Sequence, residues 1–206
     1  MVERGDSMSK KKGIAVAVVL LLILLIGGML AYFTDTDTKT NVFTIGGNVE
    51  ISLNEVWTPA DGKNVHPGAT VDKKPSIKND STTTPAFVFM EVIVPCYKSN
   101  PTTGTVDTPL FSFTTKAGWA KISESEINLT TQTKKYVYAY GNGTNMTSLS
   151  AEATTGTLFD SVSVPNTLTE AQAATVTSPN IVINGYGIQT DNIDDKTPLE
   201  IFGLFN

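Results

Sequence analysis

Arginine is almost missing from this chain: Arg4 is the only one in 206 residues. The planar guanidinium fork is the usual reader of phosphate and nucleic acid, so its scarcity argues against a nucleic-acid partner. Cysteine is equally scarce. Cys96 stands alone, no intramolecular disulfide can form, and an exported domain must hold together by core packing. Beside Pro95, Cys96 reads as a small buried hydrophobe rather than a reactive thiol. Histidine is also single, at His66. Charge is low, at 17% of residues, so the polar surface comes from elsewhere. It comes largely from 30 threonines, β-branched residues that suit strands with one wet face.

The net charge of −5 is unevenly spread. The first 31 residues carry four basic and two acidic side chains; the remaining chain carries 11 and 18, a net −7. An acidic chain of this kind stays soluble by self-repulsion and has no affinity of its own for nucleic acid or anionic lipid.

One long apolar run is present. Lys10, Lys11 and Lys12 precede Gly13–Leu30, followed by Ala31, Tyr32, Phe33 and the polar stretch TDTDTKTN. A basic region, an apolar core and a small exit residue read as a secretory signal peptide over 1–31, with cleavage between Ala31 and Tyr32. The competing reading is an uncleaved anchor, because 18 apolar residues approach the ~20 needed to span a bilayer. The lysines would then stay cytoplasmic. In both readings the rest of the chain faces outward, and any membrane contact is through this segment alone. A type IV pilin leader would need a cut before the run and a glutamate just inside it, and the run contains no glutamate.

Beyond residue 33 period-two alternation dominates and no helical period is sustained. Val49, Ile51 and Leu53 alternate with polar residues after Gly46-Gly47. Val71–Ile77 reads as a weak strand broken at Pro75. Ala86–Tyr97, AFVFMEVIVPCY, is apolar on both faces and belongs in a central position. Leu110–Phe113, Gly118–Ile122, Lys134–Tyr140, Thr157–Val164 and Ile181–Thr190 read as further strands, and the apolar C-terminus LEIFGLFN as a final one. Thr169–Ala174 is the one stretch suited to a helical turn, capped by Thr167 or Thr169. Eight to ten short strands separated by turn signals give an all-β fold, an antiparallel jelly-roll-like β-sandwich, as a single domain over 46–206. Residues 32–45 form an N-terminal extension before it.

Four segments carry a family resemblance: LAYFTDTDTKTNVFTIGGNVEISL, HPGATVDKKPSIKNDSTTTPAFVFMEV, KKYVYAY with TLFDSVSV, and IVINGYGIQT. In this order and spacing the sequence resembles the TasA/camelysin family of exported proteins, processed by a SipW-type signal peptidase. The loops 98–118 and 141–156 lie outside the resemblance. The resemblance implies a jelly-roll domain that assembles head to tail into secreted extracellular or cell-surface fibres of the biofilm-matrix type. It also implies that the N-terminal segment of one subunit completes a sheet of the next. Here that donor segment is Tyr32 to about Phe43. The residues bear on this independently. Tyr32–Thr40 has no proline or glycine and too little apolar surface to pack by itself, while Phe33, Val42, Phe43 and Ile45 are suited to anchor it in a neighbour's groove. A solvated terminal arm is the plain alternative. A head-to-tail contact does not close and yields filaments.

Some camelysin relatives are described as metallopeptidases. A zinc hydrolase takes about three protein ligands plus water, and HExxH supplies two histidines with a glutamate base. One histidine cannot do this, so the chain is expected to have no catalytic residues, no metal and no cofactor. Asp35, Asp37, Asp191, Asp194 and Asp195 read as solvated acidic loops rather than a calcium site. The Tyr136, Tyr138, Tyr140 stripe reads as a cross-strand ladder before it reads as a sugar platform. Asn79, Asn128, Asn142 and Asn145 each open an N-x-Ser/Thr sequence that marks an exposed loop. The alternatives to a fibre subunit are a membrane-anchored surface binding module and a camelysin-like metallopeptidase.

Overall fold

The computed structural model describes residues 41–45, 49–56, 66–193 and 195–205. The leader 1–31, the cleavage pair Ala31 and Tyr32, Phe33 and the rest of 32–40 lie outside them. Among the described residues no helix is long and apolar enough to cross a membrane.

The fold is all-β. The main sheet runs β1 (Asn41–Ile45), β10 (Val182–Gln189), β5 (Ala86–Tyr97), β8 (Thr133–Tyr140), β7 (Trp119–Glu124), with β6 (Thr108–Pro109) pairing the end of β5. The second layer contains two ladders. One pairs β2 (Ile51–Val56) with β4 (Lys74–Asn79), and the other pairs β3 (Thr70–Asp72) with β9 (Ser161–Ser163). The irregular segment 153–160 borders β4, through Thr155 N to Ile77 O at 2.9 Å and Leu158 N to Pro75 O at 2.9 Å. The expected antiparallel pairing holds for every described strand pair but one: β1 runs parallel to β10.

β5 has the boundaries its composition announces, and it is central, with β10 on one side and β8 on the other. Its alternate residues feed two cores. Ala86, Val88, Met90, Val92 and Val94 face the second layer, among Ile77, Leu110, Leu158 and Phe159. Phe87 and Phe89 face outward with Val137, Ala139 and Ile188. Full burial of each such side chain contributes about 1.5–3 kcal/mol.

The outer core is closed by the C-terminus, which corrects the expectation of a final strand. Residues Pro198–Phe202 form helix α2, continued by a 3-10 turn over Gly203–Phe205. Thr197 caps it: its hydroxyl accepts from Glu200 N, while Glu200 Oε2 accepts from Thr197 N at 2.8 Å, and Pro198 sits at the first helical position. This reciprocal cap overrides the strand-like composition. Phe202 and Phe205 then pack on Phe89 at centroid distances of 5.5 and 6.0 Å. The other short helix, α1 (Glu170–Ala173), lies where expected, with Thr169 as cap and Gln172 as its partner.

Three strand boundaries differ from expectation. The break near Pro75 falls instead at Lys73, between β3 and β4. Lys73 N, Ile77 N and Asn79 N all bond toward the 153–160 side. By alternation the nitrogen of Pro75 faces that side too, where an irregular border needs no donor from it. Leu110–Phe113 is not a strand, because it crosses between ladders: Leu110 N bonds Pro95 O at 2.7 Å and Ser112 pairs with Ser163. Of Thr157–Val164 only Ser161–Ser163 is strand, since Leu158 and Asp160 bond to the β4 side instead.

Candidate assembly edge

The main sheet has two edges of different character. At β7 a register shift falls between Lys121 and Ser123. Glu124 is flanked there by Lys121 and, at 3.1 Å, by Lys134. These two ammonium groups, Lys121 first, hold the Glu124 carboxyl below the usual carboxylate range. A bulge and paired charges are standard means of blunting a strand edge.

The opposite edge is β1. Its register sets Asn41 opposite Asn184, Val42 opposite Gly185, Phe43 opposite Tyr186 and Ile45 opposite Ile188, all of the same chain. The three candidate anchors Val42, Phe43 and Ile45 therefore lie on one strand paired within the molecule. Tyr32 and Phe33, the other two, lie outside the described residues. After five intervening residues the chain enters β2 in the second layer, and among the described residues no strand pairs with the outer edge of β2.

The two layers meet closely here because β10 is bare at two successive positions of its inner face. The sequence I-N-G-Y-G-I alternates large residues with Gly185 and Gly187. A β-carbon on Gly187 would lie 2.8 Å from Ile51 Cγ2, and one on Gly185 would lie 3.5 Å from Leu53 Cβ. The glycines are the imprint of β2 lying across the sheet.

The outer face beside β1 carries a polar patch at Glu91 and Asn184. Glu91 is buried on β5; its Oε1 accepts from Asn184 Nδ2 at 2.9 Å and its Oε2 faces Lys135 Nζ at 3.3 Å. The neighbouring Tyr186 hydroxyl is pushed up to about 12, by burial first and by the Glu91 charge second. Under the second layer Glu55 Oε1 meets Lys73 Nζ at 2.6 Å in a largely buried ion pair, without hydrogen-bond alignment at that oxygen. Sequence reasoning passed over Glu55, Lys73, Glu91 and Asn184. The signal at Glu91 was there to read: a lone carboxylate in an otherwise apolar dodecamer.

Other singled-out residues fall into structural roles. Tyr136, Tyr138 and Tyr140 share one face of β8; the first two meet Phe113 at 6.3 and 6.0 Å, and the third meets Trp119 at 5.3 Å. Asn128 and Asn142 are turn formers: each side-chain oxygen accepts from backbone N–H groups two and three residues on. Asn79 Oδ1 accepts from Ser81 N. Three of the four N-x-Ser/Thr sequences are thus side-chain-closed turns, and the expectation of an exposed loop fails at Asn79, which is fully buried with its Nδ2 donating to Leu149 O at 3.1 Å. Asp191 borders a cleft with Thr190 and Asn192, whereas Asp35, Asp37 and Asp194 lie outside the described residues.

Residues 7–100 match the family model described as camelysin metallo-endopeptidase. Over that span the chain is similar to the camelysin family. The matched segment ends just past β5, so it contains β1 to β5 and the edge formed by β1 and β2. No curated protein and no solved structure gave a match.

The family description implies a metal, and the donors among the described residues do not fit one. His66, the chain's sole imidazole, is exposed in a turn with Nδ1 3.0 Å from Pro67 O. Cys96 is buried and its thiol is pushed up to about 11, chiefly by burial, which opposes a thiolate ligand. Among the described residues no group of three or more His, Cys, Asp or Glu is placed to hold a metal ion, and several carboxylates already face lysines, as Asp80 faces Lys78 and Asp160 faces Lys116.

Proposed function

We propose that this chain is a secreted structural subunit that polymerises into extracellular or cell-surface fibres by strand addition between copies, with no catalytic activity of its own. The observation that carries the reading is the β1 edge. A five-residue strand closes the main sheet in parallel, directly after a polar, threonine-rich extension. Parallel edge pairing of this length contributes few backbone bonds and is exchangeable. The acceptor is the side of the sandwich where β1 and β2 leave both layers open; the opposite β7 edge carries a bulge and paired charges. The family match adds support, because the camelysin family includes TasA. Export depends on cleavage after Ala31 by a SipW-type signal peptidase, and membrane contact is confined to the uncleaved leader.

Deletion of Tyr32–Thr40 tests the reading by electron microscopy of the purified protein. Loss of fibres with an unchanged circular-dichroism spectrum is the expected result. Fibres forming as readily as from the chain starting at Tyr32 would overturn it. N-terminal sequencing of secreted material distinguishes a start at Tyr32 from a retained anchor with Lys10.

A further inference from the structure

We infer that the cleft between residues 112–116 and strand β9 is a binding site for an uncharged oligosaccharide. Two pins shape it. At one end Ser112 and Ser163 exchange backbone bonds, Ser112 N to Ser163 O at 3.0 Å and Ser163 N to Ser112 O at 2.8 Å. At the other, Lys116 N bonds Leu158 O at 2.9 Å. Between the pins the two segments diverge and leave a cleft of about 400 Å³, within the ~300–1,000 Å³ range of small-molecule sites.

The lining chooses the ligand class. Phe113 is half-buried and its ring is fixed from behind by Phe159 at 4.4 Å and by Tyr136 and Tyr138. Such a ring offers a rigid apolar platform to the C–H face of a sugar. Ser112, Thr114, Ser161 and Ser163 line the cleft with it; the Ser112 hydroxyl donates to Ser163 O at 3.5 Å and the Ser163 hydroxyl pairs with Thr70 Oγ1 at 2.9 Å, so Thr114 and Ser161 are the hydroxyls offered to a ligand. At the rim Lys116 Nζ and Asp160 Oδ2 lie 2.6 Å apart, both half exposed, with Thr157 Oγ1 donating to Asp160 Oδ1 at 3.0 Å. A donor and an acceptor side by side match adjacent sugar hydroxyls. Because Asp160 neutralises Lys116 and no arginine lines the cleft, a phosphate or sulfate ester is disfavoured. Six of the seven lining residues are polar, which disfavours a lipid.

Isothermal titration of the full chain, in a detergent without a sugar headgroup, tests this with cellotetraose and chitotetraose as probes. The expected result is binding of at least one probe in the millimolar range, weakened about tenfold or more by Phe113→Ala and by Ser161→Val. Phe113 also supports the core, whereas Ser161 is half exposed, so the Ser161→Val variant with an unchanged melting temperature carries the decision. No heat from either probe up to its solubility limit overturns the inference. So does equal binding by wild type and Ser161→Val. Neither result depends on whether the protein forms fibres.

Discussion

A β-carbon added to Gly187 would stand 2.8 Å from Cγ2 of Ile51, a contact that two packed layers cannot absorb without moving. Ile51 is β-branched and held in β2, so the backbone has to give. Gly187→Ala is expected to destabilise the fold by about 1–3 kcal/mol. Gly185→Ala, with 3.5 Å to Leu53 Cβ, is expected to be neutral or slightly stabilising, because alanine restricts the unfolded chain. Urea denaturation of the two variants side by side checks the difference; equal losses would mean that β2 does not cross β10 this closely.

Lys73 and Glu55 form an ion pair away from solvent. Removing one partner leaves the other charge buried and costs about 3–5 kcal/mol. Lys73→Met should therefore be much less stable than wild type, while Lys73→Met with Glu55→Leu should recover most of the loss. A double-mutant cycle measures this, and additive single effects would show that the pair is not coupled.

The Thr197 cap makes α2 acid-sensitive. Hydrogen bonds from the Thr197 hydroxyl, then from its backbone, lower the Glu200 carboxyl below its ordinary value. A depressed folded value means the contribution is complete above the ordinary glutamate range and lost as pH falls through the folded value beneath it. Amide exchange at Ile201–Gly203 should accelerate over that acid window in wild type. In Thr197→Ala, which forgoes about 1 kcal/mol of capping, exchange should already be fast at neutral pH, with little further acceleration on acidification.

The thiol of Cys96, pushed up to about 11 by burial, stays protonated at neutral pH. Alkylation by iodoacetamide, followed by intact mass, should be negligible in the native protein near pH 8 and complete in denaturant. Rapid native labelling would place Cys96 at the surface.

Much of the fold was legible from residues acting on their neighbours. The two-faced apolarity of Ala86–Tyr97 announced a central strand, and Thr169 announced the one interior helical turn. Tyr136, Tyr138 and Tyr140 announced a shared face. The same local logic failed where two local signals compete. LEIFGLFN has strand composition, yet Thr197-Pro198-Leu199-Glu200 is a capping box, and the cap won because the helix it starts can lay Phe202 on Phe89. At the candidate edge, the sequence singled out Val42, Phe43 and Ile45 as β-compatible, but nothing local names Gly185, Tyr186 and Ile188 as their partners.

What the sequence determined by itself was the alphabet of this protein: short threonine-rich strands, asparagine turns, one capped helical turn and one long apolar run before an acidic chain. These follow from free energies that act within a few residues. Only the tertiary structure decided that β1 lies parallel to β10, that two glycines admit β2 beneath the sheet, and that the Ser112–Ser163 and Lys116–Leu158 pins open a cleft at Phe113. Those choices depend on which distant segments close on one another, and chain closure with packing leaves no mark on either partner's own sequence until both are brought together.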